Sequence, residues 1–563
     1  MEDKLQLQEK TIKDSLAALR SRVPDPEKKV IDNLEKKVTR VIKFAPTFDY
    51  KRYPVNGVRA AINYFSNWLD YASDIHRTQE DVEKFIPILH LMSRWSSVLE
   101  EERLLYDDEG RFIRTEENRW KAREIVTRTV TEFDPKGFAA VHGEEYYLRC
   151  IPTLASGMRM SYRAMLCYLS DELSMFSCFF WLSLRDVALE LSKVWHKTND
   201  LDVCVGAIRS LESWKMKVMG SIFNFFMSIG KPRVEVNEHI VEIRRKYNIE
   251  VDVEGVRLQS LKKPLERKAT FSILKDESSK NHHGKVLFYM HGGAFIGPNY
   301  SFNNNYFTKD FCNQIPGLTV MNVKYSYAPE KPFPCALLEV LDCYLWLTSG
   351  DPQVEEILGF KPQDIIVAGD SSGGNLAVSL MVLLNEIRIM DKKFKAVFPS
   401  SLVLLYPAVN MDETLYPSGM MSCVDFLLGT YTCNTLVRAY IPVRYRDENG
   451  NKNLVDTKDI PADYLGRKDH ELLKSPFISP IYYDKLQDLS HIAISLMAVE
   501  FDPILDASIQ IAKEWKGPVD FFFVEEAYHG PLLVHNVSSA AKKAFDYFVE
   551  MTKKALERPI EME

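Results

Sequence analysis

The chain has 563 residues, a net charge of −7 and a pI near 6.0, and is 46% hydrophobic and 26% charged. That length exceeds one ordinary core, so two domains are expected, and the composition is that of a globular rather than a disordered or fibrous protein. The acidic balance argues against nucleic acid as the main partner and against an anionic membrane surface held by overall charge.

The start, Met1-Glu2-Asp3-Lys4-Leu5-Gln6, has neither a basic nor an apolar leader-like region, so the expectation is a cytosolic protein without a secretory signal. Residues 1–235 read as helix after helix. Leu5, Ile12, Leu16 and Leu19 lie at helical spacing until Pro24 and Pro26 stop the pattern, and Val30, Leu34, Val38 and Ile42 resume it. Helix-compatible apolar stretches follow at 64–69, 85–99, 162–173 and 187–195. The most apolar runs, 175–184 and 218–229, fall short of the roughly 20 residues that span a bilayer and are read as buried helix. This half is expected to form an all-α N-terminal domain, with no constellation of residues that suggests chemistry.

Residues 236–563 follow another grammar. A mixed polar segment to 283 is expected to hold a connection and the first edge strands. Short apolar runs then alternate with helical patterns, predicting a mostly parallel central sheet with strands at 286–290, 318–325, 364–368, 402–406, 492–499 and 519–524. A long interruption at about 410–482 is expected to build a lid over the carboxyl ends of the strands, where open α/β sheets bind ligands. The nine cysteines contain no CxxC pair and no zinc-like spacing, so reduced thiols are expected, with no metal and no cofactor.

The strongest chemical signal is Gly369-Asp370-Ser371-Ser372-Gly373, set between the run 365–368 and the helical run 376–384. This is G-x-S-x-G in strand–turn–helix context, where bulk-free flanks let strand and helix cross closely at the exposed serine. A serine nucleophile needs a base oriented by a carboxylate. His529, after the strand at 519–524, is the candidate base, and His470, His491 and His535 are worse placed. Asp502, first after the strand at 492–499, is the candidate acid, while Asp506 is expected to cap the next helix or face solvent. His291-Gly292-Gly293-Ala294-Phe295 follows the strand at 286–290. Its backbone N–H groups, with that of Ser372, are the candidate oxyanion donors, and His291 is expected to anchor the loop by a side-chain hydrogen bond.

These motifs resemble the hormone-sensitive lipase family. The resemblance rests on His291-Gly292-Gly293, on Tyr325-Ser326-Tyr327-Ala328-Pro329-Glu330 with Phe333-Pro334, on Gly369 through Asn375, and on Asp502-Pro503-Ile504-Leu505-Asp506. It covers most of 284–540. A weaker likeness, carried by 133–158 and by overall layout, links the first half to the helical domain of the animal members. The resemblance implies an α/β-hydrolase fold with a lid insertion, Ser371 as nucleophile, Asp502 as orienting acid, His529 as general base, and Gly292, Gly293 and Ala294 along the oxyanion loop. It implies hydrolysis of acylglycerols, with sterol or retinyl esters also in view. The partners implied are a neutral-lipid substrate and a lipid-droplet surface, and oligomeric state, a homodimer included, stays open.

Glu330 belongs to a motif that supports the active-site wall in the family, and a structural ion pair is its other reading. Ala294 stands where the family has a third glycine, and Ser372 where it usually has alanine. The insertion lacks an Arg-Arg-x-Ser cluster, so control by phosphorylation there is not implied; Arg267-Lys268-Ala269-Thr270 is the only basic kinase-like site. Two rival readings remain: a short-chain carboxylesterase or deacetylase that never meets a lipid droplet, and a non-catalytic ligand-binding receptor on the same fold.

Overall fold

The structure is a computed structural model. It describes residues 2–44, parts of 62–121, then 201–209, 235–244, 250–253, 256–259, 266–275, 284–297, 310–411, 418, 428, 430–441, 444–446, 452–454, 471–535 and 539–558. The stretches read from sequence at 133–158, 162–173, 175–184, 187–195 and 218–229 lie outside the described residues.

The first half includes the helices α1 (Glu2–Arg20), α2 (Asp25–Phe44), α3 (Gln79–Arg103) and α4 (Leu201–Arg209). α1 buries Ile12, Leu16 and Leu19, as their spacing predicts. The buried stripe of α2 runs through Ile31, Leu34, Val38 and Val41, and Val30 is only partly covered. The stripe is thus turned slightly from the predicted one, because Ile31 and Val41 complete the i, i+3, i+7, i+10 row that faces α1 and α3.

The second half opens with β1 (Glu235–Arg244), the hairpin β2 (Glu250–Val253) and β3 (Val256–Gln259), and β4 (Glu266–Lys275). Next come β5 (Lys285–Met290), β6 (Thr319–Lys324), α5 (Cys335–Leu347), α6 (Pro352–Leu358), β7 (Asp364–Asp370), α7 (Ser372–Met390) and β8 (Ser401–Leu405). α6 is bounded by local chemistry alone. Asp351 accepts the Gln353 N–H at 2.9 Å, Pro352 sits at the first position, and Gly359 ends the helix at φ 79°.

The insertion contributes α8 (Thr430–Tyr440) and the hairpin β9 (Arg444–Arg446) and β10 (Lys452–Leu454). The chain continues with β11 (Ala493–Phe501), α9 (Leu505–Glu514), β12 (Val519–Tyr528) and α10 (Ser539–Glu557).

Eight strands form one sheet in the order β1-β4-β6-β5-β7-β8-β11-β12. β4 pairs antiparallel with both neighbours, and every pairing from β6 to β12 is parallel. All six residues of β5 and all five of β8 are buried. Covered on both faces, these strands are apolar after their first residues, Lys285 and Ser401, so their runs are continuous rather than alternating. Parallel pairing also sets the carboxyl ends of β5, β7, β8, β11 and β12 on one rim. Thr270 lies within β4, paired to Ile240 on one side and Lys324 on the other, so the basic motif before it is sheet edge-to-centre backbone.

Candidate active site

β7 ends at Asp370, and Ser371 turns the chain into α7 with φ 54° and ψ −119°. A non-glycine residue in that region is strained and persists only where its surroundings fix it. Here they do: the Ser371 N–H donates to the Leu405 carbonyl at 2.9 Å, and its own carbonyl accepts the N–H groups of Asn375 and Ala408 at 3.1 Å each. The flanking glycines are steric necessities. A Cβ on Gly369 would stand 2.3 Å from the Gly373 carbonyl oxygen, and one on Gly373 2.1 Å from that of Met290.

His529 follows β12 and Asp502 follows β11, which sets both on the rim of Ser371. His529 Nδ1 lies 2.8 Å from Asp502 Oδ2, and its Nε2 lies 2.8 Å from Ser371 Oγ. Because a carboxylate only accepts, Nδ1 carries the proton and Nε2 is left to accept from the Ser371 hydroxyl. Asp502 is fully buried, and its other oxygen accepts the Ile504 N–H at 3.0 Å. The Tyr406 ring packs near-perpendicular to the His529 imidazole, at 5.1 Å between centroids. The competing His535 is buried elsewhere, with Nε2 3.0 Å from Asp310.

Asp506 departs from its expected place. It is buried rather than solvated, and its Oδ2 accepts the N–H of Ser418 at 2.7 Å, while its own N–H donates to Ser418 Oγ at 3.2 Å. It therefore caps no helix; it holds a point of the insertion to the start of α9, and a buried carboxylate needs such a donor.

The glycine loop also differs in one respect. The Gly292 N–H donates to Asp370 Oδ1 at 2.8 Å, so it is not available as an oxyanion donor, contrary to the expectation from sequence. A Cβ on Gly292 would stand 2.5 Å from Asp370 Oδ2, which explains why this position is bare. Among the described residues, no acceptor takes the N–H groups of Gly293, Ala294 or Ser372. The Ser372 N–H also opens the 19-residue α7, whose dipole favours negative charge at that end.

His291 is buried beneath the loop. Its Nδ1 lies 2.6 Å from the Gly292 carbonyl, its ring stacks on Tyr325 at 4.5 Å, and the Tyr325 hydroxyl donates to the His291 carbonyl at 2.6 Å. Burial pushes its pKa below the usual histidine value. The Glu330 carboxylate pairs with Arg209 at the end of α4, at 2.6 Å, which also holds its pKa below the ordinary glutamate value.

Sequence reasoning gave no role to Asp370, Tyr289, Tyr406, Asn375 or Arg209. Asp370 was signalled: a carboxylate at the end of a buried strand, beside the nucleophile, must find donors. Tyr289 donates to it at 2.5 Å and Gly292 at 2.8 Å. Asn375 Nδ2 bonds the carbonyls of Ala408 and Ile478 at 2.7 Å each, fastening both ends of the insertion to α7. Among the described residues no group of three or more His, Cys, Asp or Glu side chains is placed to hold a metal.

Residues 287–533 match the family described as an alpha/beta hydrolase fold. The chain is 29% identical over 194 residues to human hormone-sensitive lipase, which covers 34% of this chain and 16% of that protein. It is 30% identical over 190 residues to the hormone-sensitive lipase of Bos taurus, covering 33% and 23%. An esterase of Acinetobacter venetianus is 32% identical over 130 residues, covering 23% of this chain and 37% of the esterase. A solved esterase of Pyrobaculum calidifontis aligns with a TM-score of 0.44 and 18% identity, covering 63% of this chain and 94% of that one. The matched stretch thus spans 16–23% of the length of the human and bovine lipases. The motifs at Gly292, Ser371, Asp502 and His529 fall within residues 287–533, the segment that matches the alpha/beta hydrolase fold, and this catalytic half is similar in sequence to the hormone-sensitive lipases.

Proposed function

We propose that the chain is a serine lipase or esterase that hydrolyses acylglycerols through an acyl-enzyme on Ser371, with sterol or retinyl esters as further substrates. The observation that carries this reading is the unbroken chain of 2.8 Å hydrogen bonds from Ser371 through His529 to Asp502. His529 Nε2 takes the proton from Ser371 Oγ as that oxygen attacks the ester carbonyl carbon. The tetrahedral oxyanion is held by the N–H groups of Gly293, Ala294 and Ser372. On collapse the ester C–O bond breaks and the alkoxide leaves with the proton from His529. Water, deprotonated by the same imidazole, then attacks the acyl-enzyme; the acid departs and Ser371 recovers its proton.

The lipid assignment is supported by the named relatives, several of which are hormone-sensitive lipases. With it goes a cytosolic protein that meets its neutral lipid at a droplet surface, with the insertion at 410–482 as a lid and residues 1–235 as a helical module. Purified protein should cleave a short-chain nitrophenyl ester, and Ser371→Ala should lose that activity by several orders of magnitude. Equal rates for the two would end the mechanism. Preference for long-chain diacylglycerol over the soluble ester supports a lipase, and the reverse preference a short-chain carboxylesterase. A ligand-binding receptor predicts no covalent capture of Ser371 by a fluorophosphonate, whereas the hydrogen-bonded serine predicts rapid capture.

A further inference from the structure

Arg209 ends α4, the helix of the first half that packs on α8 of the insertion. Its guanidinium reaches two loops of the catalytic half at once. Nε donates to the Ile296 carbonyl at 2.7 Å, and Nη2 donates to the Ala328 carbonyl at 2.7 Å. The Glu330 carboxylate holds it from the other side, at 2.6 Å to Nη1 and 2.8 Å to Nη2.

Those carbonyls belong to the support of the glycine loop. Gly293 to Ile296 form a turn closed by an Ile296 N–H to Gly293 carbonyl bond of 3.1 Å. Its two central residues, Ala294 and Phe295, have φ of 53° and 62°. Turns with both central residues left-handed are the domain of glycine and asparagine, and side chains there impose strain that outside contacts must hold. Both carbonyls on the downstream side of this turn are held. The Phe295 carbonyl accepts the Ala328 N–H at 2.8 Å, and that of Ile296 accepts Arg209. Because Arg209 also binds the Ala328 carbonyl, it joins the strained turn to the strand-end loop that braces it. The Phe295 ring, stacked on Tyr440 of α8 at 3.7 Å, completes the contact.

We propose that Arg209 is a positioning residue for the oxyanion hole: from the helical half, it fixes the turn whose Gly293 and Ala294 N–H groups face the developing negative charge. The inference rests on ester hydrolysis at Ser371. It makes the first half part of the catalytic apparatus rather than a separable module. A planar fork that satisfies two carbonyls and a carboxylate suits this task, and an ammonium cannot reproduce it.

The test uses the full chain, a short-chain nitrophenyl ester and an alkyl boronic acid, whose tetrahedral adduct on Ser371 mimics the oxyanion. Arg209→Ala should lower kcat about 10- to 100-fold, less than the 10²–10³ expected for loss of a whole donor. KM should stay within about threefold, because the ground-state carbonyl binds the hole weakly. Boronic acid affinity should fall by the same factor as kcat/KM, and Arg209→Lys should lie between alanine and wild type. The proposal is overturned if folded Arg209→Ala keeps kcat within twofold, or if its kcat falls while boronic acid affinity does not, as a merely structural staple would give. Should Arg209→Ala fail to fold, Arg209→Lys and Arg209→Gln are read by the same two criteria. Wild-type protein that reacts with neither fluorophosphonate nor boronic acid would instead sink the Ser371 reading itself.

Discussion

Asp370 Oδ1 accepts the Gly292 N–H at 2.8 Å and the Tyr289 hydroxyl at 2.5 Å, so the residue before the nucleophile ties the elbow to the glycine loop. Burial lifts its pKa above the ordinary aspartate value, against the pull of those two donors. Asp370→Ala would leave both donors buried without a partner, at about 1–3 kcal/mol each. A stability loss of about 2–5 kcal/mol in urea unfolding is expected, together with a fall in kcat from a loosened loop. Asp370→Asn keeps the shared acceptor oxygen and should lose less than half as much. Equal losses for the two would mean that the carboxylate's charge, not its hydrogen bonding, is what matters.

Asp502 and Asp506 are four residues apart on one loop-to-helix transition, and only Asp502 touches His529. Asp502→Asn leaves room but presents a donor to Nδ1, favouring the wrong tautomer, and kcat should drop by about 10⁴. Asp506→Asn removes the charge that binds the Ser418 N–H. It should cost about 1–3 kcal/mol of stability while leaving kcat on a soluble ester within a few-fold. A reversed ranking in kcat would reassign the acid.

The pH dependence of stability carries a signature of His291. Its folded pKa lies below the unfolded value near 6.5 because burial disfavours the imidazolium. The unfolded chain therefore binds more protons in that window, so this contribution to stability is complete above about pH 6.5 and is lost as pH falls through the folded value. Urea midpoints measured from about pH 7.5 down to about 5 should decline more steeply for wild type than for His291→Gln. Parallel declines would point to other groups.

Glu330 acts in the usual carboxylate sense: Arg209 depresses its pKa, so its contribution is present above the unfolded value and lost as pH falls through the folded one. The Glu330 side chain is 62% exposed, and solvent screening limits the pair to under about 1 kcal/mol. Glu330→Gln should shift the urea midpoint only slightly near neutral pH and not at all once the carboxylate is protonated. A loss above about 2 kcal/mol would mean that the fork on Arg209 holds more than an ion pair.

The strands of the catalytic half were legible to within two residues at most ends, because a strand buried on both faces leaves a continuous apolar run cut off by turn residues. β12 is the exception: the predicted end at 524 falls short of Tyr528, since Glu525 and Glu526 interrupt the run although the pairing continues at Tyr528 after a register shift. Ser371, Asp502 and His529 were placed by chain order and strand ends. Arg209 was not visible, being 87 residues from Ile296 and 121 from Glu330, and a long-range contact between two halves leaves no periodicity. The Gly292 donor was misassigned for a related reason: a glycine-rich loop tells that N–H groups approach something, but not which N–H meets the substrate and which meets Asp370.

The glycines offer the sharpest contrast between two substitutions of the same chemistry. A Cβ on Gly373 would lie 2.1 Å from the Met290 carbonyl oxygen and 2.8 Å from that of His291, and both obstacles are backbone of β5 and its loop. No side chain can rotate away to admit it, so α7 must withdraw from the sheet at the point where it carries the elbow. Gly373→Ala should cost more than about 3 kcal/mol and remove activity in whatever protein still folds. Gly206, exposed within α4, would meet nothing within 4 Å of an added methyl. There the alanine only relieves the backbone entropy and poor helix propensity of glycine, and Gly206→Ala should raise stability by about 0.5–1 kcal/mol. Because α4 ends in Arg209, a firmer helix should also hold the guanidinium on Ile296 and Ala328 at least as well, so kcat should not fall. Measuring both variants by urea unfolding and ester hydrolysis checks the elbow and the helix together; a stabilised Gly206→Ala with kcat lowered tenfold would show that α4 must move during turnover.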